Sequence, residues 1–194
     1  MPKQVILVRH AQSLGNAGLR TTNPTANILT EYGRQQAEEF AATIKEAPDL
    51  ISWSSYTRTM ETAAPLARRF PQARTEEWQD IQEFTYLDPV RCFNTTPEER
   101  KPWVDSYWNE LNPHYNDGNG AESFADMIDR ARKLLSHVRE RSENSIFIFT
   151  HGQFMEAIKI LLEYPDADYA QLMRIFNEHD RGKKVANCEI LRII

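Results

Sequence analysis

The chain has 194 residues, 41% hydrophobic and 26% charged, with a formal net charge of −5 at pH 7. That length suits one domain with a sizeable core, and no apolar stretch approaches membrane-spanning length. The acidic balance argues against a general nucleic-acid or anionic-membrane binder, while leaving room for a local basic pocket.

The N-terminal Met1-Pro2-Lys3-Gln4 leads straight into the apolar run Val5-Ile6-Leu7-Val8, with no signal region between. A cytosolic (cytoplasmic), reduced protein is therefore the expectation. Cys92 and Cys188 are too few for a disulfide framework or a zinc site, and are expected to pack. The first run reads as a buried strand that stops at Arg9-His10, with Gln12, Ser13 and Asn16 close behind. Residues 11 to 29 lack periodicity and predict a loop. Thr30 is placed to cap a helix carrying Ala37, Phe40, Ala41 and Ile44, which Pro48 ends.

Leu50 to Ser54 predicts a second strand, and a helix follows from about Thr57, with a kink expected at Pro65. A short strand is expected around Ala73 to Glu76. Residues 85 to 121 break the alternation. There Thr96-Pro97-Glu98-Glu99 is a capping box with proline at the first helical position, and Trp103, Tyr107, Trp108 and Leu111 follow at helical spacing. This predicts a small helical insertion covering the site, its aromatics seating it on the core rather than touching substrate.

Phe124, Met127, Ile128, Ala131, Leu135 and Val138 then mark a long amphipathic helix. After it come a strand over 146–149, running on to Thr150-His151-Gly152, and helices over 154–162 and near 167–178. A last strand is expected over 189–194. Strands alternating with helices give an α/β fold over residues 1–194: a three-layer α/β/α sandwich with a mostly parallel sheet.

Three predicted strands end in polar residues: Arg9-His10, Ser54 to Arg58, and Thr150-His151-Gly152. In a parallel sheet they share the edge where ligands bind. Two histidines and two arginines held together are unfavourable unless an anion joins them, and arginine matches phosphate oxygens with paired donors. A neutral imidazole beside a phosphoryl group can attack phosphorus, and the departing alkoxide then needs a carboxylic acid. Glu83, in the apolar stretch Ile81-Gln82-Glu83-Phe84, is the best-placed acid. A metal held by the histidines and Glu83 is disfavoured, since Arg9 and Arg58 would repel it.

Leu7-Val8-Arg9-His10-Ala11-Gln12-Ser13, with Asn16 after it, resembles the signature of the histidine phosphatase superfamily, the phosphoglycerate mutase-like proteins. Four further segments resemble that family in order: Leu29 to Ala37, Ser54 to Ala63, Gly120-Ala121-Glu122-Ser123, and Phe149-Thr150-His151-Gly152. Ala186-Asn187-Cys188 is similar to the asparagine before the family's last strand. The resemblance implies a phosphomonoester hydrolase, a histidine acid phosphatase-type enzyme, working through a phosphohistidine on His10. Arg9, Arg58 and His151 would hold the phosphoryl oxygens, Glu83 would donate and later recover a proton, and Asn16 would line the pocket. Gly152 and Gln153 complete the candidate substrate-binding residues. The mechanism requires no cofactor and no metal.

Ala11 stands where the family usually has glycine, and Gln12 where it usually has glutamate. Two alternatives are carried forward. One is a phosphoglycerate-type phosphomutase, disfavoured because Asp88, Glu98, Glu99, Asp105, Glu110 and Asp117 outnumber the cations of the insertion. The other is a weakly active binder of phosphorylated ligands. The expected substrates are small phosphomonoesters or phosphoproteins, with no nucleic acid and no membrane. His114, His137 and His179 are expected to be structural or exposed, Arg34, Arg68 and Arg69 to face solvent, and Glu122 to support a helix start.

Overall fold

The alternation within the apolar strands decides the layering. In chain order the first half comprises β1 (Gln4–Arg9), α1 (Glu31–Thr43), β2 (Leu50–Trp53), α2 (Thr57–Arg69) and β3 (Arg74–Glu77). A 3-10 turn (Gln79–Ile81) leads into α3 (Pro89–Cys92) and α4 (Pro97–Glu110). The second half comprises α5 (Phe124–Glu140), β4 (Ser145–Thr150), α6 (Gly152–Glu163), α7 (Tyr169–Gly182) and β5 (Ile190–Arg192). The computed structural model describes residues 2, 4–20, 22–182 and 184–194. Met1 and Lys3 of the lead-in and Thr21 of the first loop lie outside the described residues.

The strands form one sheet in the order β3-β2-β4-β1-β5. Its β1–β4, β2–β4 and β2–β3 pairings are parallel, and only β5 runs antiparallel, against β1. Val5 and Leu7 of β1, with Ile146 and Ile148 of β4, face a large core shared with α5, α6 and α7. Ile6, Val8, Phe147 and Phe149 face the opposite side, where Ala41 of α1 and Ala63 and Leu66 of α2 cover them. The period of two thus sends alternate residues of the central strands into two cores, giving the expected α/β/α layering.

Most predicted elements fall within a residue or two of their expected places. Thr30 caps α1, accepting from the Gly33 amide at 2.9 Å, and α2 runs unbroken through Pro65. The last strand is shorter than the expected 189–194, because Glu189 instead closes a turn, its carboxylate accepting from the Ala186 amide. The insertion has the predicted capping box at Thr96. Tyr107 and Trp108 are buried in the large core, Trp108 stacking on Phe176 of α7, so these aromatics seat the insertion. Among the described residues no helix is long and apolar enough to cross a membrane.

Candidate active site

The sheet brings three strand ends together. Arg9 lies opposite Thr150 in the β1–β4 register, and the His10 amide donates to the Thr150 carbonyl at 2.9 Å. The Ser54 amide, at the end of β2, donates to the Phe149 carbonyl at 3.3 Å. His10 and His151 thereby sit side by side, their ring centroids 5.2 Å apart, and both are buried.

Hydrogen bonding fixes the tautomer of each ring. His10 Nδ1 lies 2.7 Å from the Ala11 carbonyl, which can only accept, so Nδ1 carries the proton and Nε2 the lone pair. Arg58, from the first turn of α2, donates Nε–H to His10 Nε2 at 3.0 Å and an Nη2 proton to His151 Nδ1, also at 3.0 Å. His151 therefore carries its proton on Nε2 and donates to Ser54 Oγ at 2.8 Å, which in turn meets Thr59 Oγ1 at 2.8 Å. Burial first, then the charges of Arg58 and Arg9, hold the His10 pKa well below its ordinary value. Burial and Arg58 do the same for His151. Both rings are neutral bases at neutral pH.

Arg58 also donates to the Pro24 carbonyl at 2.7 Å and lies over the Tyr56 ring, and burial lowers its pKa to about 10. Arg9 donates through Nη1 to the Val185 carbonyl, but its buried Nε has no partner among the described residues. Gly152 explains that placement: a Cβ there would lie 3.1 Å from Arg9 Nε. Glycine leaves room for the arginine against the start of α6.

Glu83 follows the 3-10 turn in a segment pinned on both sides. Arg130 of α5 donates to the Asp80 and Gln82 carbonyls, and Thr150 Oγ1 donates to the Ile81 carbonyl. Beyond Glu83, the Thr85 amide donates to Glu122, itself paired with Arg130 at 2.6 Å. Glu122 thus anchors this segment, whereas the start of α5 is capped by Ser123 and Asp126; the helix-start role expected for Glu122 goes to them. Burial raises the Glu83 pKa, against the opposing pull of Arg58 and Arg9.

Two adjoining cavities open over these groups. One, of about 290 Å³, is bordered by His10, Arg58 and Glu83, and by α3 and α4 of the insertion. The other, of about 320 Å³, is bordered by Arg9, Glu83, Gly152, Gln153, Asp180 and Lys184. Asn16 reaches both, its Oδ1 accepting from the Ser13 amide and from Asn187 Nδ2, which also donates to the His10 carbonyl. Every residue expected at the site therefore borders this space or touches one that does.

Asp180 was not visible in the sequence. It lies near the end of α7, takes a 3.3 Å hydrogen bond from Gln153 Nε2, and has its pKa raised by burial. The acids of the insertion, by contrast, border neither cavity. Glu99 pairs with Arg20, Asp105 with Lys101 and Asp117 with Arg91, and the insertion's one charged residue bordering the cavities is Arg100. The charge count of the insertion thus says nothing about what the cavity repels.

The departures in the signature are absorbed locally. Ala11 is buried, has no positive φ, and donates its amide to Thr62 Oγ1 at 3.0 Å. The Gln12 side chain accepts from Thr30 Oγ1 at 2.8 Å, so it serves the start of α1. His114 and His137 are exposed, as are Arg34, Arg68 and Arg69, while His179 pairs with buried Glu156. Cys92 packs against the large core and also borders the first cavity.

A family model described as the histidine phosphatase superfamily (branch 1) matches residues 5–179. The chain is 27% identical over 177 residues to a glucosyl-3-phosphoglycerate phosphatase of Mycolicibacterium vanbaalenii, covering 82% of this chain and 74% of that one. It is 27% identical over 161 residues to phosphoserine phosphatase 1 of Hydrogenobacter thermophilus, covering 80% and 74%. In fold it resembles the phosphoserine phosphatase of Entamoeba histolytica solved with 3-phosphoglyceric acid. That match has a TM-score of 0.74 and 22% identity, covering 98% of this chain and 90% of that one.

Proposed function

The chain belongs to the histidine phosphatase superfamily, and from that premise we propose that it is a phosphomonoester hydrolase, acting on small phosphomonoesters through a phosphohistidine on His10. The observation that carries this reading is the tautomer of His10: with Nδ1–H tied to the Ala11 carbonyl, the lone pair of Nε2 faces Arg58, and both residues border the first cavity. Phosphatase relatives of 27% identity support the reaction class.

In the first step Nε2 attacks phosphorus, the phosphorus–oxygen ester bond breaks, and the Glu83 carboxyl proton passes to the departing alkoxide. In the second, water attacks the phosphorus of the phosphohistidine and gives its proton to the Glu83 carboxylate. The phosphorus–nitrogen bond breaks, leaving inorganic phosphate and free His10. Arg58 and Arg9, with His151 once its Nδ1 is protonated, supply donors to the phosphoryl oxygens. The Arg130–Glu122 pair holds the Glu83 segment in place. No step draws on a cofactor or a metal.

The test is a rapid quench with a radiolabelled phosphomonoester. Wild-type protein should carry an acid-labile, alkali-stable label, His10→Ala should carry none, and the released label should be inorganic phosphate. Label appearing on a second alcohol instead would identify a phosphomutase, and tight phosphate binding without turnover would identify a binding protein.

A further inference from the structure

In phosphoryl transfer the attacking and departing atoms lie roughly in line with phosphorus between them. The alcohol portion of a substrate therefore sits on the far side of the phosphoryl group from His10 Nε2, beside the acid that protonates it. Of the two cavities, only the first is bordered by both His10 and Glu83; the second meets Glu83 but not His10 or Arg58. The alcohol portion belongs in the first.

The walls of that cavity beyond the reacting groups are mainly apolar. Phe84, Tyr86 and Leu87 follow the 3-10 turn, Pro89 and Cys92 come from α3, and Val104 comes from α4. Several of the polar atoms at its rim are engaged within the protein. Asn27 Oδ1 accepts from the Gly15 amide, Ser13 and Asn16 bond each other, and Tyr56 Oη meets Thr85 Oγ1 at 3.4 Å. Among the described residues Arg100 is the one charged side chain there besides Arg58 and Glu83, and its Nη1 is held by the carbonyl and hydroxyl of Thr95. Against the apolar stretch of wall from Phe84 to Val104 the hydroxyls of a sugar or a small hydroxy acid would find few partners, whereas an apolar body would be desolvated there.

We propose that this cavity selects phosphomonoesters whose alcohol portion is apolar, aromatic or branched aliphatic, over small carboxylated or polyhydroxylated ones. The inference rests on the phosphatase reading. It departs from the small polar substrates that the names of the relatives specify.

The experiment compares kcat/KM for phosphate release from benzyl and 2-naphthylmethyl phosphate with that from 3-phosphoglycerate, phosphoserine and glycerol 3-phosphate. All are esters of poorly leaving alkyl alcohols, so proton donation is demanded of each. The apolar pair should lead by about tenfold or more. Val104→Asp should collapse that ratio. Val104→Thr, close in shape at a half-buried helical position, should reduce it in a protein whose thermal unfolding confirms the fold. A lead for 3-phosphoglycerate or phosphoserine, erased by Arg100→Ala, would overturn the proposal by showing that the cavity reads an anion. Equal rates for all five esters would overturn it and leave the phosphatase reading standing, and no phosphate release from any of them would overturn both.

Discussion

Arg58 bridges the two buried histidines, donating to His10 Nε2 and to His151 Nδ1 at 3.0 Å each. The guanidinium thus covers the nucleophile's lone pair and gives each ring a separate proton, Nε–H to His10 and an Nη2 proton to His151. A phosphoryl group entering the site has to take these donors for its own oxygens. His151 Nδ1, now an acceptor, would then face an anion with its lone pair, which is repulsive until that nitrogen is protonated.

Phosphate binding should therefore draw a proton onto His151. At pH 8, where free phosphate is already the dianion, calorimetry in buffers of different ionisation heat should find uptake of about one proton per phosphate bound. His151→Gln should abolish the uptake. Binding without any change in protonation would show that Nδ1 does not turn toward the anion.

Glu83 must be protonated to donate, so kcat/KM for an alkyl ester should fall as pH rises through its raised pKa. Burial is the main cause of that rise; Arg9, Arg58 and the Phe84 amide oppose it, and Asp180 adds to it as a like charge. Asp180→Asn should consequently move the alkaline limb to lower pH. Glu83→Gln should cut kcat for alkyl esters by roughly 10²–10⁴-fold, and far less for p-nitrophenyl phosphate, whose leaving group needs no proton. An alkaline limb unmoved by Asp180→Asn would remove Asp180 from the tuning of the acid.

These residues differ in how far the sequence exposes them. Arg9, His10 and His151 end uninterrupted apolar runs, and a parallel central strand delivers its terminal residues to the ligand edge by geometry alone. Arg58 follows a strand in the same way. Glu83 follows only a short edge strand and a turn, and what fixes it is a pair of residues, Glu122 and Arg130, some forty positions downstream. Local pattern carries no trace of that tie. Asp180 is less legible still: on an amphipathic helix a carboxylate near the boundary of the apolar face reads as solvent-exposed, and only the packing of α7 beside α6 turns it toward Gln153. The acids of the insertion misled for the complementary reason, since composition counts charges without saying which way they face.

The buried histidines also set a pH dependence of stability. With both folded pKa values well below the ordinary 6.5, the unfolded chain takes up protons there that the folded chain does not. The stability associated with the neutral rings is complete above about pH 6.5 and is lost as pH falls below it. Glu83 and Asp180, raised in the fold, act in the opposite sense, so the imidazole contribution is read by subtraction. Urea unfolding of wild type and His151→Gln from pH 7.5 to 5 should show the wild type losing more stability, with a slope steeper by up to one proton. Parallel profiles would mean that His151 titrates normally in the fold.

The last prediction concerns a contact that joins the site to α1. A Cβ on Gly33 would stand 2.0 Å from the Gln12 carbonyl oxygen, a backbone atom that cannot swing aside. That carbonyl accepts the Thr30 amide at 3.0 Å, and Thr30 caps the helix through the Gly33 amide. Gln12 lies two residues beyond His10, whose Nδ1 is held by the intervening Ala11 carbonyl. Alanine at 33 must therefore push the helix start and the loop after the nucleophile apart. We expect Gly33→Ala to lose about 3 kcal/mol of stability by overpacking, and to lower kcat more than tenfold in the fraction that remains folded. Gly182→Ala, where an added Cβ meets nothing within 4 Å, should be neutral or slightly stabilising. Equal urea midpoints for the two variants would show that the loop after His10 yields freely, and that the close approach of Gly33 does not hold the nucleophile in place.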